Sequence, residues 1–176
     1  IRSGALLEGS DKDRYSDINQ EISKLSVQFS QNLLAETNNF EIILGRDDLK
    51  GLPEDIINLA KEEADNKYKK TSDIKYNNKY IFTTHRSSMY PFLTYSERRD
   101  LREKLYTGYI MRGDNNNEYD NKNITSRIAS LRVEKANILG FATHAQYVLD
   151  NTMAKTPDAV YELLDQLWEP ALSRAK

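Results

Sequence analysis

Apolar residues recur at spacings of three and four along the first stretch of the sequence, with Tyr15, Ile18, Ile22, Leu25, Phe29 and Leu33 falling on one line between Ser10 and Asn38. That is the period of a helix with one buried face. About 28 residues at ~1.5 Å per residue predict a rod of roughly 42 Å, longer than a minimal bundle uses. Ser10 followed three residues later by Asp13 resembles a capping box at its start.

The period then changes. "NFEIILG" is a short β-prone run in which Phe40, Ile42 and Leu44 share a face, and "KYIFTT" at 79–84 matches it. Between them, "GLPEDIINLAKEEADNKYKK" predicts a helix with Pro53 at its first position. Glu54 and Asp55 stand in its first turn and Lys67, Lys69 and Lys70 at its end, which suits the helix dipole. The connection is long enough for the two strands to pair in either sense.

The remainder reads as helical. Thr94 with Glu97 predicts a capping box ahead of "RRDLREKLYTGYIMRG", with Leu101, Leu105 and Tyr109 inward and Gly113 as the stop. Asp100 with Lys104 and Arg99 with Glu103 stand at ion-pair spacing on its outer side. "DNNNEYDNKN" is a polar turn. Ile124, Ile128, Leu131 and Leu139 then stripe a helix closed by Gly140, and Thr143 with Gln146 caps a short one holding His144. Thr156 and Pro157 open the last helix, with Val160, Leu163, Leu164 and Leu167 predicted to face inward. The expected fold is mainly α: a multi-helix array with a long N-terminal helix and a small two-stranded β element, residues 1–176 forming a single helical region.

Composition narrows the function. Lys and Arg number 25 against 27 Asp and Glu, a net charge of −2, so no long-range field draws a polyanion and nucleic acid is not an expected partner. No apolar run approaches the ~20 residues of a membrane-spanning helix, so no membrane segment is expected. The absence of cysteine removes disulfides, thiolate zinc sites and thiol catalysis, and it suits a cytoplasmic or a periplasmic location equally. A chain that starts at Ile1 and stops in "PALSRAK", inside an amphipathic pattern, reads as a piece of a longer protein.

The candidate chemistry is sparse. His85 and His144 are the two histidines, and no HExxH, HxH or HxxxH pairing joins them. A metal site needs three or four converging donors and a catalytic base needs a partner, so both are expected to pack or cap. Asp114, Asn116 and Glu118 alternate as in a calcium loop, but an EF-hand requires Gly and Glu where Tyr119 and Thr125 stand. Asn123-Ile124-Thr125 is formally a glycosylation sequon, too short a pattern to carry weight. "ERRDLREK" interleaves acids and bases, as a solvated face does. No Gly-rich phosphate loop, GxSxG or dinucleotide fingerprint occurs. The 11 tyrosines could line a peptide-binding wall, although Tyr15, Tyr106 and Tyr109 lie in or beside core stripes and are expected to pack. No residue is therefore assigned a catalytic, cofactor-binding or metal-binding role.

An ordered series of segments resembles the N-terminal helical region of the thimet oligopeptidase and peptidyl-dipeptidase Dcp family of zinc metallopeptidases. It runs through "GALLEGSDKDRYSDINQEISKLSVQFSQNLLAETN", "DDLKGLPEDII", "YIFTTHRSSMYPFLTYSERRDLREKLYTGYIMRGD" and "NEYDNKNITSRIASLRVEKANILGFATHAQYVLDNTMAKTPDAVYELLDQLWEPAL". The resemblance implies a part of a larger ellipsoidal, mostly helical peptidase with a deep channel. Its zinc sits on an HExxH helix and a downstream Glu that these residues lack. In such an enzyme a zinc-bound water, deprotonated by the motif Glu, attacks a peptide carbonyl that the metal polarises. The implied role is a channel-wall segment of a zinc-dependent oligopeptidase, leaning toward a peptidyl-dipeptidase that releases dipeptides from the C-terminus of short peptides. Its implied partners are the C-terminal catalytic region of the same parent chain and the peptide substrates. The segment alone is expected to hold no cofactor and to be inactive, with Zn2+ belonging to the parent. A stand-alone helical binding or scaffold module is the other reading.

Overall fold

A computed structural model describes residues 2–176. Helix α1 covers Gly9–Asn39, strand β1 Glu41–Leu44, α2 Glu54–Thr71, β2 Tyr80–Thr83, α3 Arg86–Tyr95, α4 Arg99–Ile110, α5 Lys122–Ile138, α6 His144–Leu149 and α7 Pro157–Ala175. The protein is mainly α with one small sheet. Among the described residues no helix is long and apolar enough to cross a membrane. The described residues separate into two compact units, one of 28–122 and one of 2–27 with 123–176.

In the unit of residues 28–122, β1 and β2 pair antiparallel, with Ile42 opposite Phe82 and Ile43 opposite Ile81. Both faces of this two-stranded sheet are covered. Ile42, Leu44 and Phe82 enter the main core with Ile57, Met89, Phe92 and Leu105, while Ile43 and Ile81 lie with Ala64, Tyr68 and Tyr76. Burial on both faces explains why the strands read as continuous apolar runs instead of alternating. The Phe82 and Phe92 rings meet at 4.6 Å and 56°, a tilted arrangement that aromatic quadrupoles favour. Ile57, Ala60 and Ala64 form the buried stripe of α2, for which Pro53 is the N-cap, one position earlier than predicted.

Helix α3 was not legible in the periodicity. Thr94 is inside it, its hydroxyl donating to the Tyr90 carbonyl at 2.8 Å, so the predicted Thr94–Glu97 capping box does not form. The corner before α4 uses Ser96, whose Oγ accepts from the Arg98 N–H at 3.3 Å and whose carbonyl accepts from Arg102 at 3.0 Å. Leu105 is fully buried on the predicted α4 stripe, with Leu101 and Tyr109 partly buried against the core. Asp100 is held by Arg98 rather than by Lys104, and the same guanidinium reaches Asp48. Gly108 brings α4 against the Phe40 ring, where a Cβ would collide with the aromatic carbons.

In the other unit, residues 9–27 of α1 run antiparallel to α5, since Arg14 pairs with Glu134 at 2.6 Å and Glu21 with Arg127 at 2.6 Å. Lys135 donates to Asn19 at 2.6 Å. Ile18, Leu131 and Ala136 are fully buried, and Ile124 nearly so. The helix starts at Gly9, so Ser10 lies in its first turn rather than capping it. Within this unit Tyr15, Ile22 and Leu25 are half-buried along the predicted line, and Phe29 and Leu33, which belong to the unit of residues 28–122, are half-buried there. Helix α5 ends as predicted around Gly140, with the Phe141 N–H donating to Ala136 at 2.9 Å and the Gly140 N–H to Asn137 at 3.0 Å, the paired bonds of a Schellman terminus. Thr143 caps α6 and Thr156 caps α7, their hydroxyls accepting from the N–H of Gln146 and Ala159. One expectation fails here. Leu163, Leu164 and Leu167 are 58%, 52% and 58% exposed, and only Val160 is half-buried.

Candidate functional site

The two histidines sit in different surroundings, and the expected side-chain cap at His85 does not form. His85 is the N-cap of α3, and its carbonyl accepts the N–H groups of Ser88 and Met89 at 3.0 and 2.8 Å while its exposed imidazole makes no capping bond. His144 opens α6, half-buried, with its ring 6.2 Å from Tyr147 and its enclosed Nδ1 without a hydrogen-bond partner. Burial, reinforced by the charges of Arg132 and Lys135, pulls its pKa below 6.5 and keeps the ring neutral. The unfolded chain therefore takes up this proton first on acidification. The contribution is complete above pH 6.5 and is lost as pH falls through the folded value. A proton-NMR titration should place the His144 midpoint below 6.5, and His144→Phe should flatten the acid-side decline in stability. A midpoint above that value would show the ring to be solvated or paired.

Among the described residues no three His, Asp or Glu side chains stand close enough to hold a metal ion. The residues present do not fit the zinc site that the resemblance implies for the parent, and no catalytic step is assigned to them. Nor does the Asn-rich turn form a calcium loop. Asp114 and Asp120 share the Lys122 ammonium at 2.6 and 2.5 Å, and Asp120 also accepts the Asn116 N–H at 2.8 Å.

What the turn does is dock on α1 through a carboxylate that the sequence reading missed. Glu36 is 7% exposed. It accepts from the Gly113 N–H, from Asn115 Nδ2 at 2.9 and 3.0 Å to its two oxygens, and from Asn117 Nδ2 at 2.6 Å. Asn121 completes the attachment, donating to the Phe29 carbonyl at 3.1 Å and accepting from Asn32 at 3.0 Å. Gly113 has φ +79°, and a Cβ there would stand 2.9 Å from the Asn121 amide, so glycine is needed for both reasons. A signal did exist: Glu36 follows Leu33 by three residues and so occupies the stripe position where an apolar residue belongs.

Burial raises the Glu36 pKa, but the hydrogen bonds from Asn115, Gly113 and Asn117 outweigh it and the net direction is down. Its contribution is present above pH 4.5 and is lost as pH falls through the lower folded value. Glu36→Gln replaces an acceptor oxygen with an N–H2 facing donors, and should cost about 1–3 kcal/mol at neutral pH. Urea midpoints for the two proteins should converge below pH 4.5. A constant gap across pH would show that the charge is not what matters.

On α3 and α4 an open groove of about 370 Å³ is lined by Leu93, Arg99, Arg102, Glu103 and Tyr106. Tyr106, predicted to pack, is instead 52% exposed, and Tyr90 and Tyr95 on α3 are similarly open. Tyr109 does lie against the core, under the Arg112 guanidinium at 4.0 Å. Aromatic faces beside guanidinium groups can hold an extended peptide through apolar contact and through carbonyl or carboxylate oxygens.

The sequence model of peptidase family M3 matches residues 92–176. The chain is 36% identical over 174 residues to oligopeptidase A of Haemophilus influenzae, covering 96% of this chain and 24% of that protein. It is 32% identical over 177 residues to the probable cytosolic oligopeptidase A of Arabidopsis thaliana, covering 98% and 25%. To the dipeptidyl carboxypeptidase of Escherichia coli it is 30% identical over 176 residues, covering 99% and 25%. The chain thus spans about a quarter of the length of the curated relatives it matches. Similarity from one end of the chain to the other, together with the family match over α4 to α7, gives the conclusion that the chain belongs to peptidase family M3.

Proposed function

We propose that these residues form a channel-wall segment of a zinc-dependent oligopeptidase, restricting access to a catalytic centre carried by other residues of the same parent. The end-to-end similarity to oligopeptidases supports this reading most directly. The wall contacts peptide through its aromatic and guanidinium groups, of which Tyr106 with Arg99 and Arg102 are the best placed. Dipeptide release is the narrower version of the activity. The higher identity to relatives named oligopeptidase A than to dipeptidyl carboxypeptidase favours the broader one.

The test uses the full-length parent. Its reading frame should encode HExxH, it should hydrolyse short unstructured peptides, and a chelator should abolish that activity without unfolding the helices. Tyr106→Ala should raise KM more than it lowers kcat, because a wall contact remote from the reacting bond does not tighten in the transition state. A fall in kcat at unchanged KM would place Tyr106 beside the chemistry. A parent without HExxH would leave the scaffold-module reading in its place. Product analysis on peptides of increasing length separates dipeptide release from other cleavage.

A further inference from the structure

Helix α7 carries more apolar surface than its own chain covers. At ~100° per residue, its apolar positions sweep an arc of about 220°, and Tyr161, Leu163, Leu164, Leu167, Trp168 and Leu172 on that arc are each at least 36% exposed. Asp158, Glu162, Asp165 and Glu169 are confined to the opposite side. A helix at the surface of a globular protein shows an apolar stripe of roughly 100° or somewhat more. An arc twice as wide is that of a helix flanked on two sides, with only a narrow acidic spine left for water.

Resting on the reading of the chain as part of a longer peptidase, we infer that α7 is a docking helix, enclosed on two sides by segments of the same parent chain outside these 176 residues. Two observations favour that occupant over a second copy. The relatives are about four times as long as this chain, and the family match runs unbroken through α7, so the helix belongs to the body the family shares. Pairing of α7 with its counterpart about a two-fold axis would cover one side of the arc and leave the other bare. The acidic spine suits the solvent side of such a buried helix.

Trp168 is the single tryptophan of the chain and reports on the arc. In the full-length parent, the difference between wild-type and Trp168→Phe fluorescence isolates it. The expected spectrum lies to the blue of free tryptophan, with acrylamide quenching well below that of the free amino acid at every protein concentration. Leu164→Asp and Leu167→Asp should lower the midpoint of thermal unfolding by several degrees, while Gln166→Asp on the polar side should leave it nearly unchanged. Emission at the free-tryptophan position, or equal midpoints for the three variants, would overturn the inference. So would shielding of Trp168 that disappears on dilution as sedimentation shows a dimer becoming a monomer, since the occupant would then be a second copy. None of these readouts depends on peptide hydrolysis. An inactive parent with a shielded Trp168 would sink the peptidase reading and uphold this one, and an active parent with an exposed Trp168 would do the reverse.

Discussion

Phe92→Ala should lower the free energy of unfolding by about 3–5 kcal/mol, the cost of losing a large buried aromatic together with the cavity left behind. The ring is fully buried on α3, and it meets Phe82 of β2 at 4.6 Å within the cluster that also takes Ile42, Met89 and Leu105. One substitution therefore removes contacts among the sheet, α3 and α4 at once. Lys104→Ala, on the exposed side of α4, should change stability by no more than roughly 0.5 kcal/mol. Urea titrations followed by far-UV circular dichroism would measure both. If the two variants shift the midpoint equally, the assignment of the α3 face is wrong.

Leu131→Ala is the second large effect, expected at about 2–5 kcal/mol. Leu131 is fully buried on the α5 stripe between Ile124 and Ala136, on the helix that three side-chain pairs tie to the first part of α1. Those ties are themselves partly or well exposed, and exposed pairs contribute little. Burial of Leu131 and Ile18 must then supply most of the hold. Val133→Ala, two residues along on the open side, should be nearly neutral. A comparable loss for Val133→Ala would mean that α5 is rotated from the face described.

The contrast between α1 and α3 shows how far pattern reading reaches. Helix α1 announced itself because six apolar positions repeat over its length, and its ends were found within a residue. Helix α3 is ten residues long, contains Pro91 and two serines in its first turn, and offers only Met89 and Phe92 as a fully buried pair. So short a stripe is outweighed by a proline and by a false capping signal at Thr94 and Glu97. The strands were seen, but their antiparallel sense was not, because an eighteen-residue helix between them permits either. Glu36 was missed for a related reason: its three partners arrive from about eighty residues away, and local spacing carries no record of them.

By itself the sequence determined the helical class, the caps at Thr143 and Thr156, the lack of any paired histidine, and, through its resemblance, the peptidase family. Each of these depends on neighbours within a few residues or on an ordered series of motifs, and so survives without coordinates. Only the tertiary structure decided which apolar faces have partners. An amphipathic pattern states that a face needs covering, whereas the covering itself is a long-range contact. For that reason the same kind of stripe is buried in α5 at Leu131 and open in α7 at Leu164 and Leu167.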